Sequence, residues 1–129
     1  MKFTGCYSSA EIAFIKPRNP AVLISFVRPD TPLLQLADYS WHDMIFIDLP
    51  FDNKLVEIAD LLFWFIQRHW LTDIYSHCES GLIESASVRN FLHLKGWTLQ
   101  ALQRAKPVAP NLHLLNELEK TFDLLANRN

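Results

Sequence analysis

Ile74-Tyr75-Ser76-His77-Cys78-Glu79-Ser80-Gly81-Leu82-Ile83-Glu84-Ser85 opens as a run of strand formers, breaks into a short loop around one glycine, and continues as helix. A strand that passes through such a loop into a helix directs several backbone N–H groups at one point, where the helix dipole adds partial positive charge. That is an anion-binding geometry, and Cys78 lies at its base. The same field favours thiolate over thiol and would make the cysteine a nucleophile.

Working outward, further strand and helix candidates alternate. Ala21 to Val27 is a continuous apolar run, the pattern of a strand buried on both faces. Met44 to Leu49 reads as another, closed by the turn residues Pro50-Phe51-Asp52-Asn53. Lys2 to Tyr7 is a weaker strand candidate, and Ser8-Ser9-Ala10-Glu11 reads as a capping box for a short helix toward Ile15, stopped by Pro17 and Pro20. Arg28-Pro29-Asp30-Thr31-Pro32 forces a loop. Leu55 to Trp70 predicts a helix that packs most of its circumference, with Glu57, Asp60, Gln67 and Arg68 on a polar stripe shared by Trp64. Ser85 to Lys95 predicts a second, with Phe91, Leu92 and Leu94 inward and Gly96 as its stop. Leu99 to Ala105 predicts a third. The last runs from Asn111 to Ala126, with Leu112, Leu115, Leu118, Phe122 and Leu125 on one face. This alternation predicts an α/β fold: one domain over residues 1–129, with a largely parallel central sheet of about four strands and helices on both sides. Ligands of such sheets bind at the C-terminal ends of the strands, where Cys78 emerges.

Composition narrows the partners. Of 129 residues half are hydrophobic and 20% are charged, enough for a single core and too few for two. A formal net charge of −2 gives no electrostatic reason to expect nucleic acid or an anionic membrane. The longest apolar run, Leu61 to Ile66, is too short to span a bilayer. Two cysteines without a secretory signal pattern predict a reducing, cytoplasmic setting. Cys6, His77 and Cys78 lack zinc-site spacing, so neither a metal nor a cofactor is expected.

The stretch from His77 to Ser85 resembles the signature of the cysteine-dependent protein tyrosine and dual-specificity phosphatases: His-Cys, five residues, Arg, then Ser or Thr. His77, Cys78, Gly81 and Ser85 match it. Downstream, Thr98-Leu99-Gln100-Ala101-Leu102 and Lys106-Pro107-Val108-Ala109-Pro110-Asn111 look like that family's Ala-Leu helix and Pro-Asn helix start. Upstream, Ile24 to Pro32 and Trp41-His42-Asp43 through Asp52 look like its compact bacterial and phage-type members. The resemblance implies a phosphatase-like architecture and a phosphate-binding loop of His77, Glu79, Ser80, Gly81, Leu82, Ile83 and Glu84 around the nucleophile Cys78. It implies that His77 holds the loop through backbone carbonyls and that Ser85 donates its hydroxyl to the sulfur. Read alone, Ser85 is equally a helix N-terminal serine, and Cys78 a buried structural thiol. For the family's general acid, Asp52 is the best match and Asp48 the runner-up; both also read as turn or edge residues.

The signature's arginine is replaced by Glu84. Guanidinium alone offers two parallel N–H bonds to a phosphoryl group, and a carboxylate reverses the sign. For unit charges about 4 Å apart at an effective dielectric near 20, the lost attraction is on the order of 4 kcal/mol, with repulsion of similar size added before screening. One such loss in the transition state costs about three orders of magnitude in rate. As helix chemistry, Glu84 is favourable, because an acid in the first turn complements the dipole. Ile83 adds only bulk where related loops carry a small polar residue, whereas Glu79 is common there in active relatives. The Glu84 carboxylate is expected to fold back onto the loop amides in place of a substrate anion. The sequence thus predicts a pseudophosphatase, a binding or regulatory module for a protein partner or a weakly held phosphoryl or other anionic ligand, acting through a surface around Trp64 and Trp41. The alternatives are an active phosphatase working through a Cys78 thiophosphate, with Arg89, Arg28 or Arg104 as substitute cation, and a rhodanese-type sulfurtransferase, whose cysteine loop has a similar shape. Arg89, one helical turn beyond the loop, is expected to point away.

Overall fold

The buried runs read from the sequence become the middle of a five-stranded sheet. The computed structural model describes residues 1–17, 19–30 and 41–126, without the side chain of Asp52; Thr31 and Pro32 of the expected loop lie outside that range. The strands are β1 Phe3–Ser8, β2 Ala21–Val27, β3 Asp43–Asp48, β4 Asp73–Cys78 and β5 Thr98–Leu99. The helices are α1 Ser9–Ile12, α2 Leu55–Arg68, α3 Glu84–Leu94 and α4 Leu112–Ala126, with 3-10 turns at Asp52–Lys54 and Ala101–Gln103. The strand order is β3-β2-β4-β1-β5, and every pairing is parallel. The fold is therefore α/β, with five strands where about four were expected. The fifth arises where the Leu99–Ala105 helix was predicted: Thr98 N–H donates to Lys2 O at 2.8 Å and Gln100 N–H to Thr4 O at 3.1 Å, so the open edge of β1 captures the chain.

β4 lies between β2 and β1, and all six of its residues are buried. Its register, Ser8 opposite Cys78 and Ser25 opposite His77, aligns three strand ends on one rim. Side chains alternate between two cores. Val22, Ile24, Phe26, Ile74 and Cys78 face the core built with α2, α3 and α4. Ala21, Leu23 and Tyr75 face a second core closed by Ile12 of α1 and by Trp41. The three long helices thus share one face, while α1 is the only helix on the other among the described residues, so helices lie on both sides of the sheet as expected but cover them unequally. The reason is length. α1 has the Ser8–Glu11 capping box but ends at Ile12, too short to cover a sheet face.

Individual faces shift as well. Leu62, Phe63, Phe65 and Ile66 of α2 are buried, each side chain contributing roughly 1.5–3 kcal/mol. Val56 and Leu61 are exposed, so α2 packs less of its circumference than its composition predicts. In α3, Phe91 and Leu92 point inward as expected, but Leu94 is 63% exposed. Gly96 follows with φ +113°, the left-handed position that ends a helix. No described helix is long and apolar enough to cross a membrane.

Candidate functional site

Cys78 is the last residue of β4, and its loop is held from three sides. Gly81 has φ +73°, and a Cβ there would lie 2.5 Å from Tyr7 C and Ser8 N. Only glycine lets the loop press against the junction of β1 and α1. Ser9 N–H donates to Glu79 O at 3.4 Å, and Ala109 N–H donates to Leu82 O at 2.8 Å. The first turn of α3 is anchored by Ser76, whose hydroxyl donates to Ser85 O at 3.0 Å, and by Ser87, which donates to Ile83 O at 2.9 Å and accepts from Asn111 N–H at 2.7 Å.

These anchors aim donors at sulfur. Burial disfavours the Cys78 thiolate, but the Ser85 hydroxyl, 3.1 Å from Sγ, and the N–H groups of Ser85, Ile83 and Gly81 outweigh it, so the pKa falls below the ordinary thiol value. His77 points to the opposite face and makes no hydrogen bond to a loop carbonyl among the described residues. Its Nδ1 lies 3.5 Å from Ser9 Oγ, while Nε2 is buried without a partner. Burial lowers its pKa to about 4, so it is neutral at pH 7. His77 therefore positions Ser9 beyond β1, a correction to the carbonyl bonds expected from the resemblance.

Above Cys78 opens a cleft of about 700 Å³. The loop contributes Glu79, Ser80, Ile83 and Glu84; β2 and its continuation contribute Phe26, Val27, Arg28 and Asp30; Ser9 and Leu49 complete it. Glu84 lines this cleft half-buried, and its carboxylate makes no hydrogen bond to a loop amide among the described residues. The expected fold-back is absent because three of those amides serve the sulfur. Of the candidate cations, Arg89 is buried elsewhere: Nη1 donates to Gln103 O at 3.0 Å and Nη2 to Asn90 Oδ1 at 2.9 Å. Arg104 is exposed and does not line the cleft. Arg28 does, with Nε 3.9 Å from Glu79 Oε2 at the open rim.

The acid candidates separate too. Asp48 is exposed and is not among the cleft-lining residues. Asp52 opens a 3-10 turn, and its side chain lies outside the described part of the structure. Sequence reading missed Asp30, which lines the cleft; its signal was a place just after β2, the strand beside β4. Trp64, 60% exposed, lines a separate groove with Leu61 and Arg68, while Trp41 is 7% exposed and belongs to the second core. The two tryptophans therefore do not form one surface. Comparison with models of known families, with characterised proteins and with solved structures returned no match.

Proposed function

We propose that this chain is a phosphatase-like protein of the cysteine-dependent type that has lost its phosphate clamp and acts as a pseudophosphatase, a binding or regulatory module of the cytoplasm. One observation carries the reading: the sulfur cradle is complete, while Glu84 opens into the cleft above it with Arg89 turned away. A phosphoryl dianion over Cys78 would meet the thiolate and the carboxylates of Glu79 and Glu84 at once, without a bidentate guanidinium to offset them. The parallel sheet and the strand–loop–helix at Cys78 are compatible with a dual-specificity phosphatase architecture.

Arg28 supports a second reading, an active phosphatase in which this cation swings from Glu79 toward the sulfur. Hydrolysis of p-nitrophenyl phosphate by the natural protein, Cys78→Ser, Glu84→Arg and Arg28→Ala separates the two. The pseudophosphatase reading expects no Cys78-dependent turnover in the natural protein and its appearance in Glu84→Arg. Turnover in the natural protein that vanishes in Cys78→Ser and Arg28→Ala would establish the second reading. Sulfur transfer from thiosulfate would point to a rhodanese-type enzyme instead.

A further inference from the structure

Away from Cys78, large apolar side chains gather along the outer edge of β3. The strand order puts β3 and β5 at the two edges of the sheet. β5 has only two residues, but β3 has six, and no described strand pairs with its outer side. Neither proline, glycine nor lysine interrupts Asp43-Met44-Ile45-Phe46-Ile47-Asp48, so common guards against edge-to-edge pairing are missing. Met44 and Phe46, the latter 52% exposed, stand beside Leu23 and Ser25 on the face that bears α1. On the other face Leu61 and Trp64 of α2, both exposed, line a groove shared with Asp43, Met44 and Ile45. An open edge with apolar surface on both faces suits strand addition.

The side chains select the occupant. Directly opposite residues of an antiparallel pair lie on the same face, so a strand that pairs with its own copy about a two-fold axis must have that axis at a residue. An axis at Ile45 sets Met44 against Phe46 of the second copy, apolar on apolar, and exposed His42 against exposed Asp48, an N–H donor against a carboxylate. By symmetry each contact occurs twice. Asp43 then faces Ile47, but its carboxylate is already matched within its own chain by His69 Nε2 at 2.8 Å and Arg68 Nη1 at 3.7 Å. An axis at Phe46 instead sets Met44 against Asp48 and His42 against Pro50, which has no N–H to give. The register about Ile45 is thus self-complementary, as an isologous interface requires.

We infer that two copies of this chain pair through β3, antiparallel about an axis at Ile45, joining their sheets into one and bringing Leu61 and Trp64 of both α2 helices together over the seam. None of these residues lines the Cys78 cleft, so the inference stands apart from the pseudophosphatase reading. Both clefts stay open and face opposite ways, because antiparallel strands end on opposite rims.

Sedimentation equilibrium of the natural protein over about 1–200 μM should show twice the chain mass, with dissociation in the micromolar range. Phe46→Lys should be monomeric throughout, with an unchanged far-ultraviolet circular dichroism spectrum because the side chain is exposed. His42→Asp opposes like charges at both ends of the seam and should weaken the dimer about tenfold. Adding Asp48→Lys to that variant should restore it. Register has its own readout. In a Cys78→Ser background, Met44→Cys mixed with Phe46→Cys should form the mixed disulfide faster than either variant links to itself. A single chain mass throughout the range, or a dimer indifferent to Phe46→Lys, would overturn the inference. A dimer that links faster through Phe46→Cys alone, or that the charge exchange does not restore, would overturn the axis at Ile45.

Discussion

Two side chains on opposite faces of β4 carry the chemistry of the loop, and each titrates in a way that can be measured. Cys78 gains from Ser85 a hydrogen bond to its charged form, worth about 1.5–3 kcal/mol for a bond to an ion. Ser85→Ala should therefore raise the thiol pKa and slow iodoacetamide labelling of Cys78 near neutral pH by about tenfold, with a pH–rate midpoint displaced upward; an unchanged midpoint would remove Ser85 from the site. His77 is the opposite case. Its folded pKa is about 4 against an ordinary 6.5, so the unfolded chain binds a proton that the folded chain refuses between those values. The stability it contributes is complete above pH 6.5 and is lost as pH falls toward 4, by about 3 kcal/mol from the size of the shift. Urea midpoints at pH 7 and pH 4.5 should show this loss, and His77→Gln should reduce it.

Among the elements, the segment after α3 shows how local pattern gives way to long-range contact. Its Ala-Leu sequence reads as helix, yet β5 and a 3-10 turn form instead, because β1 offers an unpaired edge and Gln103 is pulled inward. Gln103 is 5% exposed; its Oε1 accepts from Cys6 N–H at 2.9 Å, and its carbonyl accepts from Arg89 Nη1 at 3.0 Å. One side chain thus links β1 to the turn, and its backbone links the turn to α3. Gln103→Ala leaves the buried Cys6 N–H without its acceptor and should lower stability by about 2 kcal/mol, read as a urea midpoint shift at constant slope; a shift within error would show that the brace contributes nothing. The elements with strong local signals were legible: the apolar run of β2, the Ser8–Glu11 box of α1, the strand–loop–helix at Cys78, and the period of α4 except in its first turn, where Leu112 is exposed and Leu114 is buried instead. Illegible were β5, which exists only through β1, and the identity of the carboxylates over the sulfur. Asp48 ends β3 and Asp30 follows the neighbouring β2, and of the two only Asp30 lines the cleft.

For the molecule as a whole, α4 decides whether the fold behaves as one unit. Phe122 is 4% exposed, and its ring lies 4.6 Å from that of Phe63 in α2, 4.7 Å from Phe91 in α3 and 6.2 Å from Trp70 between α2 and β4. The residue therefore joins three segments over the face that bears Cys78, and Asn111, just before α4, also anchors the first turn of α3 through Ser87. Truncating a buried phenylalanine to alanine costs about 3–5 kcal/mol, and Phe122→Ala removes contact with all three segments at once. Against a total stability on the order of 5–15 kcal/mol for a domain, that leaves a marginal protein. The loss should appear as a lower urea midpoint with tryptophan fluorescence and far-ultraviolet circular dichroism still coincident, because Trp70 and Trp97 report from the core that α4 closes. Fluorescence that moves before circular dichroism would mean that α4 docks on a sheet already folded without it. In that event the sulfur cradle, hung on Ser87 and Asn111, would loosen first, and Cys78 labelling in the variant would accelerate at urea concentrations below the main transition.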